Sequence, residues 1–217
     1  MADLVNELSW SISQNKEFAE CKRMYYYSHY GSWEGWPTGK GDAKAKELYL
    51  LKKLTKKEMW AGSVIHHIIK QILNGFRGGY TPDYSAVEKM LIQKMMDDVK
   101  HSREKAYLKD PKRYTRFFDD EYGTGVPNGE INDSVEFAVK CLQNFFSLDL
   151  FRQLSTLQRD QWLTIDEDKP SSFEFEGTKV YVKIDAAVRV GDRVKIYDWK
   201  TSRKEDVDYS LQLECYL

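Results

Sequence analysis

VYVKIDAAVRVGDRVKIYDWKTSR, from Val180 to Arg203, alternates apolar and polar residues on both sides of Gly191-Asp192. A period of two argues a half-buried strand on each side, and a Gly opening the loop supports a two-residue hairpin. In that register Val190 faces Arg193. Stepping outward sets Asp185 opposite Asp198 and Lys183 opposite Lys200. Directly opposed side chains have Cβ atoms only ~5 Å apart, where like charges destabilise the pair. A shared proton, a basic neighbour or a bound cation must offset that repulsion. Lys200 follows Asp198 by two residues, so the pleat turns it to the same face. Two carboxylates and an ammonium gather in one patch, as a salt-bridge cluster or as a metal site; the hairpin alone leaves both open.

Outward from the hairpin, QWLTID and SSFEFEG read as strands, and a helix from about Val207 to the chain end carries Gln212 and Tyr216 one turn apart. Upstream, WSISQNKEFAECKRMYYYSHYG reads as one helix in which Ser11 and Gln14 have capping-box spacing. Further helices are predicted over about 43–54, 57–74, 85–108 and 131–157. The second of these has an apolar stripe of Ala61, Val64, Ile65, Ile68 and Ile72. Helices first, strands next and a last helix against the sheet predict an α+β or α/β sandwich.

A chain of 217 residues has room for a sizeable core. With 41% hydrophobic and 14% aromatic residues it belongs with globular rather than disordered chains. No apolar run reaches the ~18 residues of a membrane span. The start, MADLVNELSW, lacks the basic and apolar regions of a signal peptide. Cys21, Cys141 and Cys215 are odd in number and scattered, which predicts a reducing, cytoplasmic setting and no disulfide framework. A net charge of −1 announces no nucleic-acid partner. Locally, AKAKELYLLKKLTKKE (Ala43 to Glu58) and KHSREKAYLKDPKRYTR (Lys100 to Arg116) are strongly basic. Such stripes can track phosphates, although at helical spacing they are more often solvated faces.

Taken in order, WSISQNKEFAECKRMYYY, WAGSVIHHII, KID, YDWKTS and QLECY resemble the PD-(D/E)XK nuclease superfamily, specifically its RecB-like branch. The resemblance implies a restriction-endonuclease-like α/β (α+β) core with a mixed central sheet flanked by helices. It further implies one domain over 1–217, with a mostly helical insertion over about 77–158 that carries no familiar motif. Asp185, Asp198, Lys200, Gln212 and Tyr216 become the catalytic set. His66, Asp185, Asp198 and the Trp199 carbonyl become ligands of Mg²⁺ or Mn²⁺. The apolar stripe does not choose between His66 and His67; the family pattern, Gly62 followed four residues later by His66, does. Gln212 and Tyr216 would also touch the DNA backbone, and Lys52 and Lys53 are candidate phosphate contacts. Tyr25, Tyr26, Tyr27, Trp33 and Trp36 could stack on single-stranded bases, but aromatic clusters near a chain start are more often packing, the reading preferred here.

The chemistry suits those residue types. Phosphodiester hydrolysis needs charge stabilisation on the phosphoryl oxygens and a nucleophilic water. Facing carboxylates hold a hard divalent cation, which relieves their repulsion. The implied activity is metal-dependent DNA cleavage by an exonuclease acting on DNA ends or single strands, in repair or recombination beside a helicase or recombination partner. The alternative is a catalytically quiet, nuclease-derived module that holds nucleic acid or a helicase. Relatives with an iron–sulfur cluster place its first ligand at the position of Cys21 and three more cysteines near the C-terminus. Cys141 and Cys215 do not match that spacing and Lys22 replaces the usual Pro, so no cluster is expected. The family core adds a strand after the Gln/Tyr helix, whereas the sequence ends at Leu217 inside it, so further residues are expected to follow.

Overall fold

The structure is a computed structural model that describes residues 5–123, 125–167, 170–201 and 208–216. Strand β1 (Ser9–Trp10) leads into helices α1 (Ile12–Glu20) and α2 (Lys22–Tyr26). Ser11 caps α1 by accepting the Gln14 N–H at 3.3 Å. The Gln14 side chain does not return to complete the box; its amide reaches Nδ1 of His29 at 3.5 Å. The helix expected to run on through Tyr30 is therefore interrupted. Cys21 turns extended at φ −156°, and its thiol accepts the Met24 N–H at 3.4 Å, starting α2 as an N-cap. A π-helical turn, Tyr27–Gly31, follows.

Helix α3 (Ala43–Leu51) begins at Asp42, whose carboxylate accepts the Ala45 N–H at 2.8 Å. Helix α4 (Lys57–Arg77) buries its whole predicted stripe and also Trp60, Ile69, Leu73 and Phe76. Its apolar face is wide because α4 packs against α5 (Tyr84–Arg103), α7 (Asn128–Ser147), α8 (Asp149–Ser155) and strand β2 (Trp162–Ile165) at once. Between α5 and α7 lies the short α6 (Phe118–Tyr122). Two of the long predicted helices are broken. The first stops at Lys105, whose φ of 54° is left-handed, before a 3-10 turn at Ala106–Leu108. The second breaks at Leu148, extended at ψ 139°, and the bend folds Phe151 back onto Phe146 with ring centroids 4.4 Å apart.

The architecture is the expected α+β, restriction-endonuclease-like class, and among the described residues its strands form two three-stranded sheets flanked by helices rather than one mixed sheet. In the first, β4 (Thr178–Val182) pairs parallel with β1 and antiparallel with β3 (Ser171–Phe175). In the second, β5 (Ala186–Val190) lies between β2 and β6 (Arg193–Tyr197), antiparallel to both. The hairpin register is as predicted: Val190 pairs with Arg193 and Ala186 with Tyr197, and Gly191 carries the positive φ of 59°. Its inner strand, however, does not reach back to Val180. The chain leaves the first sheet after Val182 and enters the second at Ala186, so Lys183 does not oppose Lys200. A short helix, α9 (Ser210–Glu214), closes the described chain; the predicted start at Val207 lies outside the described residues. Ala186 and Val188 join Ile65, Leu91 and Leu142 in one apolar core between the second sheet and the helices. Among the described residues no helix is long and apolar enough to cross a membrane.

Candidate active site

Asp185 sits at the seam between the sheets, one step beyond the last ladder pair, and is buried. Three elements hold it. From α4, Nδ1 of His66 lies 3.2 Å from its Oδ1. Just past β6, the Trp199 N–H donates to its Oδ2 at 2.7 Å. At the end of β2, the Asp166 N–H donates to its carbonyl at 2.8 Å. Trp199 is fixed in turn by its ring, stacked on Tyr197 at 5.8 Å and met edge-on by Phe145 at 5.4 Å. His67 also borders the cleft, but its Nε2 lies 2.9 Å from the Gln71 amide rather than at Asp185. Burial pushes its pKa below the ordinary 6.5, and Lys94 and Lys70 push the same way.

Asp198 gathers a second group. Its Oδ2 pairs with the Lys200 ammonium at 2.5 Å, and its Oδ1 lies 3.1 Å from the Gln212 amide nitrogen and 3.3 Å from the Tyr216 hydroxyl. The Gln212 carbonyl oxygen accepts from Lys200 at 3.1 Å, while the Tyr216 hydroxyl also lies 3.0 Å from the Lys183 carbonyl. The one phenolic proton can serve Asp198 or Lys183, not both at once. Burial raises the Tyr216 pKa to about 12, and the negative charges of Asp198 and Asp185 add to the rise. Tyr216 therefore stays protonated at any working pH and responds to both carboxylates.

The structure thus brings Asp185, His66 and Trp199 into one group and Asp198, Lys200, Gln212 and Tyr216 into the next. Among the described residues, no three His, Cys, Asp or Glu side chains form a ready metal-binding group. Lys52 and Lys53 do not line the cleft that holds Asp185. They end α3 over the Tyr49 ring, at 5.5 and 5.7 Å, and Lys52 donates to the Ser28 carbonyl at 2.9 Å. Both have pKa values pulled below 10.5, first by desolvation, then by Lys53 on Lys52 and by Lys112 on Lys53. The two basic stripes do meet: Thr55 pairs with Phe117, and its N–H donates to the Arg116 carbonyl at 2.8 Å.

Two residues of the site were not foreseen. Asp166 enters the cleft beside Asp185, with a left-handed φ of 32°, and its Oδ1 pairs with the Lys183 ammonium at 2.8 Å. That ion pair replaces the expected apposition of Lys183 and Lys200. Once β2 is docked so that Ile165 pairs with Ala186, the acid ending QWLTID falls next to Asp185. The second is Thr201, whose hydroxyl lies 2.7 Å from where a Cβ on Gly62 would stand. Gly62 therefore makes room for the residue after Lys200. The cleft formed by Gly62, His66, Asp133, Asp166, Asp185 and Thr201, among others, encloses about 910 Å³.

A family model described as the PD-(D/E)XK nuclease superfamily matches residues 9–217. No curated protein and no solved structure matches the chain.

Proposed function

Since the chain belongs to the PD-(D/E)XK nuclease superfamily, we propose that it hydrolyses DNA phosphodiester bonds with a divalent metal, as a RecB-like exonuclease on DNA ends or single strands. One observation carries the reading: α4, the seam strand and α9 converge so that His66, Asp185, Asp198, Lys200, Gln212 and Tyr216 form two abutting groups, joined where the Trp199 N–H, next to Asp198, donates to Asp185. We read the whole chain as one nuclease-like domain, with the helices over about 77–158 as an insertion.

The donor set suits Mg²⁺ or Mn²⁺. Carboxylate oxygens and an imidazole nitrogen are donors these ions accept, and Asp185 Oδ1 and His66 Nδ1 come within 3.2 Å of each other. Asp185, Asp198, His66 and the Trp199 carbonyl would hold the ion, the imidazole favouring Mn²⁺. When bound, such an ion polarises a phosphoryl oxygen and acidifies a water. The chain's own groups do the rest. Lys200, held by Asp198 and Gln212, aims an ammonium at the attacking water or the phosphate. Tyr216, kept protonated, can donate to a phosphate oxygen. His66 and the Trp199 N–H fix the rotamer of Asp185. This reading places the protein in a reducing cytoplasm, in repair or recombination, where a helicase or recombination partner supplies single strands.

One observation favours the quiet module instead: each oxygen of Asp185 and Asp198 already has a protein partner. End-labelled single- and double-stranded DNA, incubated with Mn²⁺, Mg²⁺ or EDTA, separates the two. The nuclease shortens DNA from its ends only with metal, and Asp198→Asn stops it. DNA that is retarded but never shortened under any of these conditions means the quiet module.

A further inference from the structure

Apart from the cleft, a cavity of about 250 Å³ opens between the N-terminal segment and β4. Its walls include Gln14, His29, Trp33, Lys52, Lys179 and Tyr181. Its lining holds the lysines Lys52 and Lys179 and the acid Glu7, and a second carboxylate, Glu17, meets His29 Nε2 at 2.8 Å. The Gln14 amide nitrogen lies 3.5 Å from Nδ1 of His29, and its oxygen is buried away from solvent without a partner among the described residues. Rings to stack on, amides to read an edge and lysines to hold phosphate are the chemistry of a nucleotide site. The volume falls below the ~300 Å³ at which drug-sized pockets begin, so the cavity takes part of a chain rather than a whole small molecule.

Its position supplies the second argument. Tyr181 lines this cavity and also a neighbouring groove, which runs past Ser11, Lys16 and Lys183 to Gln212 and Tyr216. Lys183 in turn lines the catalytic cleft. The hollows thus follow one another along β4 from Lys179 towards the seam at Lys183, with Tyr181 and Lys183 as walls they share. Four residues at ~3.3 Å span about 13 Å, the run of roughly four bases stacked at ~3.4 Å. Although Tyr25 and Trp33 do pack against neighbouring rings, they also line the cavity, so packing and stacking are not exclusive.

We propose that this cavity is a single-stranded DNA subsite, which binds bases about four nucleotides from the phosphate held at Asp185 and Asp198. The proposal rests on the nuclease reading for its direction, but binding tests it without cleavage. Fluorescence anisotropy of labelled dT12 in EDTA measures affinity for the parent, for Lys179→Glu, and for Tyr30→Ala with Lys179→Ala. Tyr30 and Lys179 are exposed, and Tyr30 also lines the cavity. The double variant should bind at least about tenfold more weakly, and losing the lysine should flatten the log–log salt slope by about 0.7. Ultraviolet cross-linking of 5-iodouracil-substituted dT12 should place adducts on Tyr30, Trp33 or Tyr181. Unchanged affinity in both variants, or adducts confined to α5 and α7, overturns the subsite. A parent that binds dT12 in this way yet never cuts with metal overturns the nuclease reading alone.

Discussion

At the residue scale, adjacent histidines on α4 border the same cleft but hold different partners. His66 touches Asp185, and His67 pairs with Gln71. His66→Ala should lower metal-dependent cleavage by about a hundredfold or more, the usual loss when a group at the reacting centre is removed or displaced by an ångström. His67→Ala should change it less than about threefold; equal losses in kcat/KM would show that the helix face is wrong. A second case is Glu121. The Tyr107 hydroxyl at 2.7 Å and the buried Arg116 at 3.0 Å hold its carboxylate, so its pKa lies below the ordinary 4.5, chiefly through the Tyr107 bond. With the folded value depressed, this stability is complete above 4.5 and is lost as pH falls through the folded value. Tyr107→Phe should therefore cost about 1–3 kcal/mol at neutral pH, and denaturant titrations should show a shallower loss of stability on acidification. A parallel downward shift of the whole acid limb would mean that Tyr107 acts only through packing.

At the element scale, Gly62 links a helix to the strand end that carries Lys200. In an exposed helix interior Gly→Ala gains about 1 kcal/mol, but here the new methyl meets the Thr201 hydroxyl at 2.7 Å. Gly62→Ala should keep or raise the melting temperature while displacing Thr201 and Lys200, with about a tenfold or greater loss of kcat. Adding Thr201→Ala should restore part of it; no restoration would mean that the methyl does not act through Thr201. The same scale shows what the sequence made legible. Apolar spacing gave the buried face of α4, and alternation with Gly191 gave the pairing of β5 with β6, because both are local periodicities. The change of sheet between Val182 and Ala186 was hidden, since alternation continues across it and only tertiary pairing of β4 with β1 and β3 pulls the halves apart. The breaks at Cys21 and Leu148 depend on a thiol cap and on ring packing, and neither leaves a periodic mark. Asp185, Asp198, Lys200, Gln212, Tyr216 and His66 were named by motif, whereas Asp166 and Thr201 became visible only once strands and helix were docked.

At the scale of the whole molecule, a net charge of −1 conceals two basic stretches of sequence that meet near Lys53 and Lys112. If that region carries DNA, affinity for a single strand should fall with salt at about −0.7 per phosphate contact. Reversing Lys52 and Lys53 to Glu should flatten that slope and raise KM more than it lowers kcat, because neither lysine reaches the cleft. Identical slopes would move the DNA path off this face. The seam has a further consequence, one of time. Every residue of β3, in the first sheet, is exposed, whereas Ala186, Ala187 and Val188 of β5, in the second, are buried against the helices. Local opening is easiest where few apolar contacts resist it. In hydrogen–deuterium exchange, amides of β3 should therefore exchange well before those of β5. The Asp166 amide, bonded to the Asp185 carbonyl, should follow the slow group. The sheet that lies along the proposed DNA path can then open and close many times while the peptide carrying the first carboxylate stays protected, so that a strand can be admitted and released without rebuilding the centre on each occasion.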